Sequence, residues 1–114
     1  MCRLVFVPPI PLSAFPFRSF VLVVFRIDLE ELKRIVEMYR KEGYHIECYI
    51  RHASTVQVLN DVLGLNLKPS SALYQYQDGD QLIVVGLKKP VRGQEVQVSV
   101  EDLDIAHVIV GHAR

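Results

Sequence analysis

The chain contains 114 residues, of which half are hydrophobic, and its 13 basic and 13 acidic side chains give a formal charge of zero. This length and composition predict a single globular domain over residues 1–114 and exclude an intrinsically disordered chain. Nonspecific binding to duplex nucleic acid requires an excess of cations that neutralise phosphates, so the balanced charge argues against a duplex nucleic acid partner. A small anionic ligand, held by a few cations at one place, remains compatible with it.

The two cysteines, Cys2 and Cys48, are too few for a disulfide framework or for four metal thiolates, and we expect reduced thiols in a cytoplasmic protein. The apolar run over residues 20–25 is far shorter than the roughly 20 residues of a membrane-spanning helix. Prolines interrupt the sequence before this run, and no small-residue cleavage site follows it. We therefore expect neither a membrane partner nor a signal peptide.

The N-terminal part of the chain predicts two strands separated by a proline-rich loop. Residues 3–7 form a short apolar run that ends at Pro8 and Pro9, as expected of a buried strand. Residues 8–17 are predicted as loop because their prolines lack backbone donors, which makes residues 1–18 an atypical start for the domain. Residues 20–27 are rich in valine and phenylalanine and favour a second strand.

Capping residues and helical spacing predict two helices. Asp28 provides an N-cap for a first helix that ends at Gly43, and residues 44–50 follow as a strand. Ser54 acts as the N-cap of a second helix, which carries apolar residues on one face and closes at Gly64.

The second half of the chain is predicted to consist mainly of strands. Residues 71–77 and 81–87 flank the turn at 78–80 and suggest a hairpin. Residues 99–103 predict a single helical turn, and residues 105–110 predict the last strand. Helices and strands alternate in the first half, so the whole order predicts an α/β domain with a mixed sheet of about five strands and helices packed on it.

The best candidate for a chemical site is the segment from Arg51 to Thr55, where a strand ends and a helix begins. Unpaired backbone N–H groups and the positive end of the helix dipole favour an anion there. His52, beside a bound phosphodiester, could act as a general acid or base near neutral pH. The alternative from spacing alone is that Ser54 is a plain N-cap and His52 an incidental loop residue.

A second candidate is the turn that contains Lys88, Lys89 and Arg92. Cations placed on a phosphate can stabilise the charge that grows during phosphoryl transfer. The alternative is a solvated turn, and spacing alone does not show that this turn meets the segment around His52.

A metal site is not expected. His45 and Cys48 point to opposite faces of a strand, so they do not converge with His52 on one ion. His107 lies in the apolar last strand and is interpreted as a core or edge histidine. His112 is placed in a C-terminal tail, where disorder is common.

Residues 50–65 resemble the signature of the viral ring nucleases that act as type III anti-CRISPR proteins, a family with relatives in archaea, bacteria and their viruses. In that family Gly-His-x-Ser-Thr leads into a helix that ends in Leu-x-Gly. A hairpin containing Gly-Asp, an apolar strand and an arginine-containing turn then follow. In this chain the corresponding places are occupied by residues 78–80, residues 82–85 and the turn to Gly93. The similarity covers approximately residues 27–110.

The resemblance implies a symmetric homodimer whose pocket crosses the two-fold axis, located in the host cytoplasm if the protein is viral. It implies a phosphodiesterase that needs no metal or cofactor and opens cyclic tetra-adenylate into linear products with 2′,3′-cyclic phosphate ends, which damps type III CRISPR signalling. His52 would protonate the departing 5′ oxygen, and Lys89 would stabilise the phosphorane, with Arg92 as the other candidate for that role. The remaining ligand-binding residues would be Ser13, Arg51, Ser54, Thr55, Lys88 and Arg92.

This chain departs from the family pattern at three places. Arg51 replaces the glycine before the histidine, Lys89 replaces an arginine and loses its bidentate fork, and a family glutamate falls on Val91 or Arg92. Two alternatives to the enzyme therefore stay open. The chain could bind a cyclic oligonucleotide without turnover, or it could be a protein-interaction module with a vestigial pocket, whose contact surface would include Phe15 and Phe17.

Overall fold

The computed structural model describes residues 2–88 and 98–112, and these ranges contain five strands and two α-helices. In chain order the elements are β1 (Arg3–Val7), β2 (Phe20–Arg26), α1 (Leu29–Lys41), β3 (His45–Cys48), α2 (Ala53–Leu63), β4 (Gln81–Leu87) and β5 (Leu103–His112). Single turns of 3-10 helix lie at Leu12–Ala14 and Val100–Asp102, the latter within the predicted helical turn.

The strands form one mixed sheet in the order β2-β5-β4-β1-β3. β1 pairs in parallel with β3 on one side and β4 on the other, whereas β5 is antiparallel to both β2 and β4. The predicted class, a mixed five-stranded sheet with helices packed on it, is confirmed. Neither helix in the described ranges is long and apolar enough to cross a membrane.

The two faces of the sheet are covered differently. Side chains alternate along each strand, so Leu4 and Phe6 of β1 pack on one face beneath α1 and α2, which we call the helix face. Val5 and Val7 lie on the opposite face, where the segments around Ala14 and Tyr74 cover them; this is the loop face. Burial of both faces explains why β1 is an uninterrupted apolar run after Arg3.

The helix boundaries follow from local chemistry, with one correction. Asp28 caps α1 as predicted, through a capping box in which its side chain accepts from the Glu31 amide and the Glu31 side chain accepts from the Asp28 amide. The prediction that Ser54 is the N-cap of α2 is wrong. His52 occupies the N-cap, in extended backbone, because the helix already begins at Ala53.

The predicted hairpin is also wrong, because residues 71–77 form no strand. β4 already pairs with β1 on one side and β5 on the other, so no free edge remains for a hairpin partner. Residues 71–77 cross the loop face instead, and the Tyr76 amide donates to the Ala14 carbonyl at 2.9 Å.

Two predictions about the termini are wrong for the same reason, namely that aromatic packing on the loop face orders both segments. Phe15, placed on the contact surface by the protein-interaction alternative, is only 5% exposed and stacks on Phe20. His112, expected in a tail, lies at the end of β5 and stacks on Phe17 with ring centroids 3.8 Å apart.

Candidate functional site

The candidate site lies at the carboxyl ends of β1 and β3, the usual position of ligand crevices in sheets with parallel strands. β1 runs into Pro8 and Pro9, which cannot donate to a neighbouring strand and so end the pairing. After β3, the Tyr49 amide still donates to the Phe6 carbonyl at 2.8 Å. The chain then passes through Arg51 and His52 into α2.

A cavity of about 230 Å³ opens on the loop face at this end of the sheet, and we call it the loop-face cavity. Its wall contains an exposed guanidinium, an exposed imidazole, three serine hydroxyls and two tyrosines. The residues that carry these groups are Ser13, Tyr49, Arg51, His52, Ser70, Ser71 and Tyr74.

Backbone hydrogen bonds hold the far wall of the loop-face cavity. The Ser70 amide donates to the Ile50 carbonyl at 2.9 Å, and the Tyr76 amide donates to the Ala14 carbonyl at the same distance. The segment between Ser70 and Tyr76 is therefore fastened at one end beside His52 and at the other beside Ser13. These two hydrogen bonds bring three segments that are distant in sequence together around the loop-face cavity.

A buried charged network supports the floor of this cavity. The Arg3 guanidinium donates to both carboxylate oxygens of Asp80, at 2.9 and 2.6 Å, and to Glu47 at 2.5 Å. The Tyr74 hydroxyl donates to Asp80 at 2.5 Å, and the Tyr49 hydroxyl accepts from Arg3 at 3.3 Å. Both tyrosine rings that line the cavity are thus held from below by the same network.

The network also fixes protonation states. Burial, reinforced by the hydrogen bond to Asp80, raises the pKa of Tyr74 well above its usual value, so its hydroxyl stays protonated and donates. The hydrogen bond to Asp80 raises the pKa of Arg3, against the opposing effect of burial. Near neutral pH the Tyr74 hydroxyl therefore remains a hydrogen-bond donor and the Arg3 guanidinium remains charged.

A second cavity of about 270 Å³ adjoins the first, and we call it the helix-face cavity because its core residues pack against the helices. Pro8, Pro9 and His52 line both cavities. The other residues that line the helix-face cavity are Ile50, Thr55, Val85, Gly86 and Leu87. The His52 side chain accordingly stands at the junction of two cavities.

His52 is suited to contact a ligand at this junction. Its carbonyl accepts from the Val56 amide at 3.1 Å, which begins α2, but its side chain makes no capping hydrogen bond. The imidazole is exposed beside the first amides of an eleven-residue helix, where the helix dipole favours an anion. An imidazole next to a bound phosphate is a competent general acid near neutral pH.

The residues that the sequence singled out do not all lie together. Ser13, Arg51 and His52 meet around the loop-face cavity, and Thr55 joins His52 around the helix-face cavity. Ser54 and Lys88 line neither of these cavities. Two further candidates, Lys89 and Arg92, lie outside the described residues.

Sequence reasoning missed the tyrosine floor and the serine wall. One signal pointed to the floor: Arg3 is a charged residue in an otherwise apolar strand, and a buried cation requires a carboxylate partner. No comparable signal marked Ser70 or Ser71. Within the described ranges, no group of three or more His, Cys, Asp or Glu residues could hold a metal ion.

Comparison with known proteins identifies a matching family and a solved structure with a similar fold. The model of a protein family described as STIV B116-like matches residues 12–112. Among solved structures, B116 of Sulfolobus turreted icosahedral virus (STIV) is similar, with a TM-score of 0.69 and 16% sequence identity. The match covers 96% of this chain and 99% of that one, and at this identity it supports the fold alone. No curated protein sequence matches the chain.

Proposed function

The chain belongs to the STIV B116-like family, and we propose that it is a metal-independent ring nuclease that opens cyclic tetra-adenylate. The observation that carries the proposal is the position of His52. Its exposed imidazole stands at the N-terminus of α2, at the junction of two cavities, with Arg51 beside it. The resemblance of residues 50–65 to the viral ring nuclease signature supplies the substrate class.

The reaction is an internal transesterification at one phosphodiester of the ring. The ribose 2′ hydroxyl gives up its proton to water as its oxygen attacks the adjacent phosphorus, and the bond from phosphorus to the 5′ oxygen breaks, which leaves a 2′,3′-cyclic phosphate and a 5′ hydroxyl. His52 donates the proton that the departing 5′ oxygen requires. Arg51 and the first amides of α2 bind the phosphate and stabilise its growing charge.

The other candidate residues keep the roles that the resemblance assigns. Ser13 binds the ligand from the opposite wall of the loop-face cavity. Thr55 binds it from the helix-face cavity. Lys89 stabilises the phosphorane, with Arg92 as the other candidate.

The size of the cavities favours a dimeric site. Each is below the roughly 300–1,000 Å³ typical of pockets for drug-sized ligands. A ring of four nucleotides is larger than such a ligand, so one chain encloses only part of it. We propose that two chains form a symmetric homodimer that brings both sites to one two-fold axis, where each chain presents the same groups to opposite halves of the ring.

The test is the incubation of labelled cyclic tetra-adenylate with the protein in excess EDTA. We expect linear products, and we expect His52→Ala to slow their formation by roughly 100- to 10,000-fold, the usual contribution of a general acid. The matched control is His45→Ala, which removes another exposed histidine, on β3 and outside both cavities. Intact ligand after incubation with the wild type, or equal rates for the two variants, would contradict the proposal.

The second candidate function is capture of the ring without turnover. The exposed guanidinium of Arg51, where the family pattern has glycine, favours it, because a cation beside His52 strengthens ground-state binding of a phosphate without supplying a proton. Tight binding measured by calorimetry, with the ligand recovered intact, would identify this function.

A further inference from the structure

We propose that the helix-face cavity is a subsite for one nucleobase of the ligand, and that the loop-face cavity receives the neighbouring nucleoside. The phosphate between the two nucleosides then lies at His52. The inference rests on the proposed function and deepens it, because it states how the substrate is positioned for cleavage.

The first observation is the connection between the two cavities. Among the described residues that line them, they share Pro8, Pro9 and His52 and no other. The remaining lining residues come from opposite faces of the sheet, as the adjacent residues Tyr49 and Ile50 illustrate: Tyr49 belongs to the loop face and Ile50 to the helix-face core. The proline pair thus borders both cavities where they meet the imidazole.

The second observation is the chemical difference between the two linings. The loop-face cavity carries the Arg51 guanidinium and three serine hydroxyls, which suit a ribose and a phosphate. Among the described residues of the helix-face cavity, none is an acid, a lysine or an arginine, and Ile50, Val85 and Leu87 supply an aliphatic wall. Such a wall disfavours a phosphate and accepts the flat face of a base.

The third observation is the space at Gly86, which lines the helix-face cavity at the end of β4. A Cβ placed there would meet the side chain of Pro9 at 3.6 Å, an ordinary contact. Larger side chains would press on the proline pair from the side of the helix-face cavity. Its backbone φ is not in the left-handed region, so a β-branched residue is compatible with the strand.

The test compares two noncleavable probes by calorimetry: adenosine 3′-monophosphate, and 2′-deoxyadenylyl-adenosine, which lacks the attacking hydroxyl. We expect the wild type to bind the dinucleotide at least tenfold more tightly than the mononucleotide. Gly86→Val should abolish this difference by narrowing the helix-face cavity. The matched variant Ala72→Val adds bulk only to the loop-face cavity and should weaken the binding of both probes.

A second variant, Leu87→Ala, removes apolar contact instead of adding bulk, and it should also reduce dinucleotide affinity while mononucleotide affinity stays unchanged. Thermal unfolding of each variant shows whether it has folded. Equal binding of the two probes to the wild type overturns the inference, as does unchanged dinucleotide affinity in a folded Gly86→Val or Leu87→Ala protein.

Failure of this inference and failure of the proposed function are distinguishable. A wild type that prefers the dinucleotide as described but leaves the cyclic substrate intact contradicts the enzyme and supports the subsite. A wild type that opens the ring, but whose dinucleotide affinity is unaffected at Gly86 and Leu87, contradicts the subsite and supports the enzyme.

Discussion

The Tyr74 hydroxyl donates a 2.5 Å hydrogen bond to Asp80, and this bond joins the floor of the loop-face cavity to the residue that precedes β4. Asp80 is 5% exposed and accepts from two of the three guanidinium nitrogens of Arg3. The cavity therefore rests on a buried charge pair rather than on loop packing alone. Removing Asp80 leaves the buried guanidinium of Arg3 with only the more exposed Glu47 as a carboxylate partner, which is strongly unfavourable.

Asp80→Ala is expected to lower the free energy of unfolding by about 3–5 kcal/mol, because Arg3 loses its most buried carboxylate partner. Urea denaturation measures the change. Asp61→Ala is the control, since Asp61 is an exposed aspartate that accepts a hydrogen bond from the exposed side chain of Gln57; its removal should change stability by less than about 0.5 kcal/mol. Similar losses in both variants would show that the Arg3–Asp80 pair does not support the fold.

The stability of the protein should depend on pH through His107. Burial lowers the pKa of this histidine, which lies in β5 near Tyr39 and 3.4 Å from Gln81. Above the usual histidine pKa, His107 is neutral in both the folded and the unfolded state, and its protonation costs the folded state no free energy of unfolding. As the pH falls from that value through the lower folded pKa, the unfolded state takes up the proton first, and stability decreases.

The measurement compares urea unfolding of the wild type and of His107→Gln between pH 7.5 and pH 5. We expect the wild type to lose more stability than the variant over this interval. Parallel pH dependence in the two proteins would contradict the assignment of a lowered pKa to His107.

The proposed dimeric site predicts a stoichiometry of one cyclic tetra-adenylate per two chains. Each chain alone offers cavities of about 230 and 270 Å³, which receive only part of the ring. Native mass spectrometry of His52→Ala, which should bind the ring without opening it, measures the ratio directly. One ring on each single chain would contradict the shared site.

Most of the architecture could be predicted from local sequence, because its causes are local. The apolar run of β1 has the bounds expected of it, and the Asp28 capping box places the start of α1. The Ser54 error has a local cause too. Serine is a frequent N-cap residue, but here the extended backbone needed for a cap occurs two residues earlier, at His52.

Apart from Ser13, which the family resemblance supplied, the candidate site could be predicted only where its residues are contiguous. Arg51 and His52 are neighbours at a strand-to-helix junction, and this position identified them as a candidate anion site. Ser70 and Tyr74 reach the cavity because their segment crosses the loop face, held by backbone bonds to residues far away in sequence. The wrong hairpin prediction has the same origin as the failure to predict these two residues. β4 pairs with β1 and β5, so the segment that contains them is free to cross the loop face.

The most direct test of the central claim is the mass of the product formed from cyclic tetra-adenylate in water enriched in oxygen-18, with EDTA present. Attack by the ribose hydroxyl, with His52 as the acid, predicts products that carry 2′,3′-cyclic phosphates and no heavy oxygen, the once-cut product having the same mass as the ring. Heavy oxygen at the newly formed phosphate end, or no product from a folded wild type that binds the ring, would contradict it.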